Sequence, residues 1–335
     1  VSHGNEEQSL ISVKNLVSTE PEAWFEINAG EKRLSQEEIR ERASSLREKF
    51  LDSSENPENF FILFKDGRPA ARIYRRRDAE TQYGSSSESG MWLLQSFSVK
   101  YEEKDNKAEA FINLVNHVKN LHGWKELKIM LPGPSEDKIR DVLTESGFYL
   151  EIRKEYFRKE LNDLETDKEE DGALTYRNLS QTGDRPFIEM LGRIQQVTLN
   201  SDAEEDAKDP GKAFNGFKDP DRFDPALWLL AYYQNAPAGM VLPGVERGTE
   251  PPQGFIQFIG VLPEYRNRGL GRILLEKGIR MLAESGAKMY TGSTDTLNIP
   301  MIKLFTSMGC RRSAVYDIWN VSQGKQMSLP PLLKS

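Results

Sequence analysis

The chain has 335 residues, enough for two domains with separate cores, and its composition, 38% hydrophobic and 29% charged, is that of a globular protein. Its 45 basic residues are outnumbered by 52 acidic ones, a net charge of −7 that argues against nucleic acid as the main partner. Cys310 is the only cysteine and His3, His117 and His122 the only histidines, so an intrachain disulfide, a zinc cluster or another metal site is not expected. No apolar run is long enough to cross a bilayer, and the polar opening VSHGNEEQSL does not read as a secretory signal, which leads us to expect a cytoplasmic protein that engages no membrane.

In chain order, SQEEIRERASSLREKFL predicts a helix opened by a capping box, Ser35 and Glu38. FFILFKDGRPAARIY has two β-rich runs around Asp66-Gly67, a hairpin signal. The basic run RIYRRR reads as a solvated strand end. Strand MWLLQSFSV, helix AEAFINLVNHVKNL, strand KELKIML, helix SEDKIRDVLTESGF (ended at Gly147) and strand YLEIRKEYF follow. The charged stretch LNDLETDKEEDG then reads as a solvated linker over 161–173.

The rhythm repeats. RPFIEMLGRIQQV predicts a helix, ALWLLAYYQNAPAGMVL a hairpin around Gln234-Asn235, and GFIQFIGV a strand. RILLEKGIRMLAE predicts a helix with Leu270, Ile273, Leu274, Gly278, Met281 and Leu282 on one face. Strand AKMYTGS, helix NIPMIKLFTSMG (ended at Gly309) and strand SAVYDIWNV close the pattern. Val99 and Val261 lie 162 residues apart, and so do Gly147 and Gly309. One ungapped offset over that distance implies duplication of an α/β unit. Pro69 and Pro237 lie 168 apart, so an insertion or deletion separates the hairpins from the rest. The longest irregular segment, 199–225, reads either as a solvated acidic loop or as a lid that attracts a cation.

The most informative stretch is RNRGLG (residues 266–271), which leaves a strand and opens an amphipathic helix. A helix N-terminus presents unpaired N–H groups and positive dipole character. Gly269 and Gly271 remove the side chains that would keep an anion away, and arginines flank them, so the turn suits a phosphate or pyrophosphate. A dinucleotide fingerprint would need a glycine where Leu274 stands, and the chain contains no GKS or GKT.

The pattern V-x-P-x-x-R-x-x-G-x-G, from Val261 to Gly271, resembles the acyl-CoA pyrophosphate loop of the GNAT acyltransferase superfamily. Downstream, Asn298, an aromatic seven residues on (Phe305) and a glycine eleven residues on (Gly309) match the same family. The resemblance covers the second half and, through the repeat, extends to the first. It implies two tandem GNAT-like domains, an α/β (α+β) fold in which each sheet is mixed, mostly antiparallel and flanked by helices. We expect these at 1–160 and 174–325, with a C-terminal tail over 326–335. It also implies that Arg266, Asn267, Arg268, Gly269, Leu270, Gly271 and Arg272 hold the pyrophosphate of acetyl-CoA. Val261 would pair with the pantetheine through its backbone, the strands of Val261 and Tyr290 would splay apart, and Asn298 and Phe305 would lie near the pantetheine and sulfur.

In the first half the offset places Lys104, Lys107, Glu109, Glu136 and Leu143 where the second has Arg266, Gly269, Gly271, Asn298 and Phe305. Both glycines are gone, and a carboxylate stands where a pyrophosphate would lie, so we expect no CoA site there. The second half departs from the family in two places. Phe305 replaces the tyrosine that often protonates the thiolate, and Ser293 stands where some members carry a basic glutamate. Asp295 could relay a proton or cap the following helix; Tyr316 could face the acceptor or pack in the core. Gln257, Tyr232 and Ser293 are candidates for contact with the acceptor. The expected function is acetyl transfer from acetyl-CoA to a primary amine, small molecule or peptide, by direct attack in a ternary complex. The alternatives are a non-catalytic acyl-CoA sensor or interaction module and, beyond that, a generic phosphate or nucleotide binder.

Overall fold

A computed structural model describes residues 10–27, 34–53, 55–77, 91–162, 172–196, 207–219 and 222–323. The first part of the chain forms β1 (Ile11–Asn15), α1 (Glu22–Phe25), α2 (Gln36–Leu51), β2 (Phe60–Lys65), β3 (Arg68–Arg77), β4 (Met91–Val99), α3 (Lys107–Lys119), β5 (Glu126–Pro132), α4 (Asp137–Glu145) and β6 (Tyr149–Glu160). It continues with β7 (Leu174–Asn178), α5 (Leu179–Thr182), α6 (Asp184–Gln195), α7 (Pro210–Gly216), β8 (Leu229–Tyr233), β9 (Ala236–Glu246) and β10 (Gln253–Val261). The last elements are α8 (Leu270–Glu284), β11 (Met289–Asp295), α9 (Ile299–Ser307) and β12 (Arg311–Ser322). Every helix and strand named from the sequence is present. The 162-residue offset superposes β4 on β10, α4 on α9 and β6 on β12 end for end.

Local chemistry accounts for the element ends. Ser35 Oγ accepts from the Glu38 N–H at 3.2 Å while Glu38 Oε2 accepts from the Ser35 N–H at 2.7 Å, closing the capping box of α2. Both hairpins turn on two residues of positive φ, Asp66-Gly67 (50° and 75°) and Gln234-Asn235 (49° and 65°), as tight strand reversals require.

The chain folds into two compact units, and their boundaries differ from the domain boundaries expected from the sequence. Of the described residues, one unit takes in those up to Glu151 and those from Tyr316 onward; the other takes in those from Ile152 to Val315. In the first unit, neighbouring strands run β1-β2-β3-β4-β5, and β5 then pairs antiparallel with Tyr316–Ser322 of β12. In the second, Lys154–Glu160 of β6 pairs antiparallel with β11, and the order continues β11-β10-β9-β8-β7. Each half of the sequence thus lends most of a last strand to the unit built from the other half. Periodicity marks a strand but not the edge it joins, which is why the repeat alone did not show this. Among the described residues, each unit has one parallel pair, β4–β5 in the first and β10–β11 in the second, beside antiparallel pairs, so each sheet is mixed and mostly antiparallel.

In the second unit α8 buries Leu270, Leu274, Leu275, Gly278, Ile279 and Leu282. A Cβ on Gly278 would stand 2.9 Å from Ile256 Cδ1 and 3.0 Å from Val241 Cγ2, so this glycine sets how closely the helix lies on β9 and β10. α6 packs Phe187, Met190, Leu191 and Ile194 in the same core. In the first unit α3 and α4 cover the Leu127, Ile129 and Leu131 face of β5. Most of the expected linker and the whole expected tail, 326–335, lie outside the described residues, as do parts of the 199–225 segment, in which α7 forms.

Candidate functional site

The site begins where two parallel strands part. β10 pairs with β11 only from Gln253↔Met289 to Phe255↔Thr291, whereas it stays with β9 as far as Val261↔Gly239. The Leu262 N–H donates to the Ala238 carbonyl at 2.9 Å. By the alternation of an antiparallel ladder, the peptide groups of Ile259 and Val261 therefore point away from β9 into the gap beside β10. A bulge between Ile256 and Phe258 re-aims the strand end. There Gly260 is pressed so closely by α6 that a Cβ would stand 2.5 Å from Ile194 Cγ2.

After Val261 a single 3₁₀ turn, Pro263–Tyr265, leads into two left-handed residues, Asn267 (φ 61°) and Gly269 (φ 78°), before α8 starts at Leu270. The first N–H groups turned back into the helix are those of Arg272 and Ile273, both to the Gly269 carbonyl. Among the described residues, the N–H groups of residues 267–271 have no backbone or side-chain acceptor. Consecutive free N–H groups in such a turn form a concavity for an anion. The two glycines serve it differently. Gly269 is required by its φ. Gly271 is not required by packing, since the nearest atom to a Cβ there would be Leu304 Cδ2 at 3.9 Å. The space above Gly271 is open.

The arginines of the loop also divide by role. Arg266 Nε donates to the Val261 carbonyl at 3.0 Å, tying the turn to the strand end. The Arg268 guanidinium lies 5.8 Å from the Tyr233 ring centroid and 5.9 Å from that of Tyr265, two rings that meet edge to face. That stacking braces the loop against the β8–β9 hairpin. Arg272 is exposed and pairs with no described carboxylate. Outside the loop, Arg193 of α6 pairs with Glu264 at 2.6 Å. Sequence reasoning missed this brace and the stacking on Tyr233 because the partners lie tens of residues away.

The remaining candidates are placed as follows. Asn298 caps α9, its Oδ1 accepting from the Met301 N–H at 3.3 Å. Phe305 is 1% exposed, and its ring packs on Phe157 (4.8 Å) and Tyr290 (6.3 Å) in the core. A Cβ on Gly292 would come within 2.9 Å of it, so the ring fills the groove that glycine leaves. Asp295 is buried at the end of β11, opposite Lys154 in the β6 register. Tyr316 belongs to the first unit, where it pairs with Pro132, so the two proton-transfer candidates fall in different units. Gln257 sits at the bulge and donates through Nε2 to the Phe217 carbonyl at 3.1 Å. Tyr232 is half-buried beneath Arg177, 5.2 Å from the guanidinium, and Ser293 is exposed. Burial, and then the neighbouring Cys310, holds the Tyr290 phenol above its usual range, and burial pushes the Cys310 thiol up to about 11. Among the described residues no cluster of three His, Cys, Asp or Glu side chains is arranged for a metal.

Residues 192–310 match the model of the acetyltransferase (GNAT) family, a span that contains the open strand edge, the glycine turn, Asn298 and Phe305. That part of the chain is similar to the GNAT acetyltransferases. A mycothiol acetyltransferase of an Arthrobacter species is 35% identical over 100 residues, and one of Pseudarthrobacter chlorophenolicus 33% over 99. The matched part is 28% of this chain, which spans 29% of the length of either relative. Among solved structures, a GCN5-related N-acetyltransferase from Sphaerobacter thermophilus superposes with a TM-score of 0.56 at 14% identity, covering 96% of this chain and 98% of that one. A tandem GNAT protein from the clavulanic acid biosynthesis pathway gives 0.50 at 12% identity, covering 96% and 100%. At such identities the likeness is one of fold.

Proposed function

We propose that the second unit binds acetyl-CoA and transfers its acetyl group to a primary amine by direct attack in a ternary complex. The observation that carries the reading is the open space at Gly271 beside the N–H groups of residues 267–271, which have no acceptor among the described residues. A pyrophosphate is the CoA moiety with the charge and acceptor geometry to fill them. Arg272 adds a cation at the helix start, and the β10 edge from Ile259 to Val261 offers the pantetheine amides an open strand.

In the reaction the amine nitrogen attacks the thioester carbonyl carbon, the C–S bond breaks, and CoA leaves as the thiolate while the ammonium proton passes to water. A peptide N–H at the Val261 end of β10 can stabilise the oxyanion, because it is fixed before the charge develops. Phe305 carries no proton to give and lies in the core, and the Ser293 hydroxyl is not a base at neutral pH. Asp295 is the remaining candidate in this unit for accepting the proton through water. Most of the acceleration then comes from positioning the amine against the thioester. In the first half, Lys107 and Glu136 take the places of Gly269 and Asn298, and we assign it no acyl-CoA site.

The relatives named mycothiol acetyltransferases support acetyl as the group transferred. A second reading, an acyl-CoA sensor without turnover, draws on the buried Phe305. Release of free CoA thiol from acetyl-CoA across a panel of primary amines separates the two. Amine-dependent release supports transfer, whereas tight binding with no release on any amine supports the sensor.

A further inference from the structure

The first unit contains a polar cluster on the face of β5 opposite its apolar core. Leu127, Ile129 and Leu131 point to that core, so Glu126 and Lys128 point the other way. Asn320 lies directly across from Lys128 in the β5–β12 register and is 1% exposed. Its Nδ2 donates to Glu126 Oε1 at 2.6 Å and to Glu151 Oε1 at 3.3 Å. Lys128 Nζ donates to Glu151 Oε1 at 3.1 Å and stands 3.7 Å from Glu126 Oε1. Burial, then the charges of Glu151 and Glu126, hold the Tyr149 phenol above its usual range, which places its ring in the same field.

Two buried acceptor atoms are left over. Asn320 Oδ1 has no hydrogen-bond donor, and neither has Glu151 Oε2, which faces Lys128 Nζ at 3.0 Å as an ionic contact without a hydrogen-bonding angle. A buried acceptor without a donor costs on the order of 1–3 kcal/mol, so it calls for a partner. The charges are unbalanced as well, two carboxylates facing one ammonium. The two acceptor atoms themselves are buried, and the cluster borders solvent through the Glu126 and Glu151 side chains, which keep 30% and 27% exposure.

We propose that Glu126, Glu151 and Asn320 form a binding site in the first unit for the primary ammonium group of a small amine. An ammonium offers three N–H donors, which match Asn320 Oδ1, Glu151 Oε2 and the Glu126 carboxylate, and its single charge balances the cluster. A divalent metal fits worse, since a hard cation requires about six oxygen ligands and the side chains of Glu126, Glu151 and Asn320 offer fewer. The site is independent of the acyl-CoA reading of the second unit, and it gives the first unit a ligand of its own.

The test is a calorimetric titration of the full chain with ethylammonium chloride at constant ionic strength, with tetramethylammonium chloride as a cation lacking N–H donors. Saturable binding of ethylammonium alone is expected, weakened at least about tenfold by Glu151→Gln and by Glu126→Gln, with acetyl-CoA affinity unchanged. An isotherm indifferent to both substitutions, equal binding of tetramethylammonium, or no saturable binding overturns the proposal. If either variant fails to fold, a crystal of the unaltered protein soaked in ethylammonium decides. Density for the amine within hydrogen-bond distance of Asn320 Oδ1 supports the site; water alone there overturns it.

Discussion

Lys107 Nζ lies 2.5 Å from Glu136 Oε1, and at the 162-residue offset these two residues stand where the second unit has Gly269 and Asn298. In the first unit an ion pair links the start of α3 to the residue before α4. The 3₁₀ stretch Tyr101–Asn106 runs straight into α3 at Lys107, and no residue of it has a positive φ. In the second unit the corresponding turn is broken by two left-handed residues, and the N–H groups of residues 267–271 have no acceptor among the described residues. One ancestral strand–turn–helix thus has two outcomes, a closed turn braced by side chains and an open turn suited to an anion.

Gly271→Glu copies the first half's Glu109 into the second. The open space at Gly271 accommodates the side chain, so stability should change by no more than about 0.5 kcal/mol. A carboxylate at the anion position should nevertheless weaken acetyl-CoA binding by at least about a hundredfold, on the order of 3 kcal/mol. Denaturant melts and a binding isotherm on one sample check both halves. Unchanged affinity would remove the pyrophosphate from this loop.

Gly269→Ala acts differently. With φ at 78°, a Cβ is strained by roughly 1 kcal/mol although it meets no neighbouring atom within 4 Å. Chemical denaturation should register that loss, and binding should fall because the free N–H groups are re-aimed. An Ala variant as stable as the parent would contradict the assigned turn geometry.

Phe305→Tyr restores the residue that many GNAT enzymes use at this position, but the ring is 1% exposed and packed on Phe157 and Tyr290. Its hydroxyl would be buried without a prepared partner, a cost of about 1–3 kcal/mol. We expect lower stability and no gain in turnover. A faster enzyme of unchanged stability would place the ring at the reacting sulfur instead.

The raised pKa of Cys310 sets an alkaline limit. Between 9.0 and about 11 an exposed thiol in the unfolded chain is ionised, while the buried one keeps its proton. The unfolded state then binds fewer protons than the native state, so stability falls as pH rises through that window and is unaffected by this group below it. The Tyr290 phenol, also raised, acts in the same direction at higher pH. Melts of Cys310→Ala from pH 8 to 11 should show a shallower decline than the parent; equal slopes would contradict the burial of the thiol.

The sequence was legible where periodicity is strong and local. The capping box at Ser35 and the glycine stops at Gly147 and Gly309 appear as read; of the face read on α8, Leu270, Leu274, Gly278 and Leu282 are buried, while Ile273 and Met281 are half-buried and Leu275 and Ile279 are buried in addition. Short elements escaped notice. β1 and β7 have five residues each and α1 has four, too few for a period to emerge. The exchange of β6 and β12 between units is set by contacts such as the buried Asp317 carboxylate, which accepts from the Ser135 N–H at 2.8 Å and from Ser135 Oγ at 2.9 Å. No pattern in the chain pairs residues that far apart. At the site, the glycine turn could be read because its backbone requirement is written in residue type. The orientation of Phe305 and the stacking of Arg268 could not, since tertiary neighbours decide which way a side chain turns.

The central claim is one acyl-CoA site per chain, in the second unit. Calorimetric titration with acetyl-CoA, read for stoichiometry, tests it most directly. The account predicts one site, lost in Gly271→Glu and retained in Lys107→Ala. Two sites per chain, or one that survives Gly271→Glu, would contradict it.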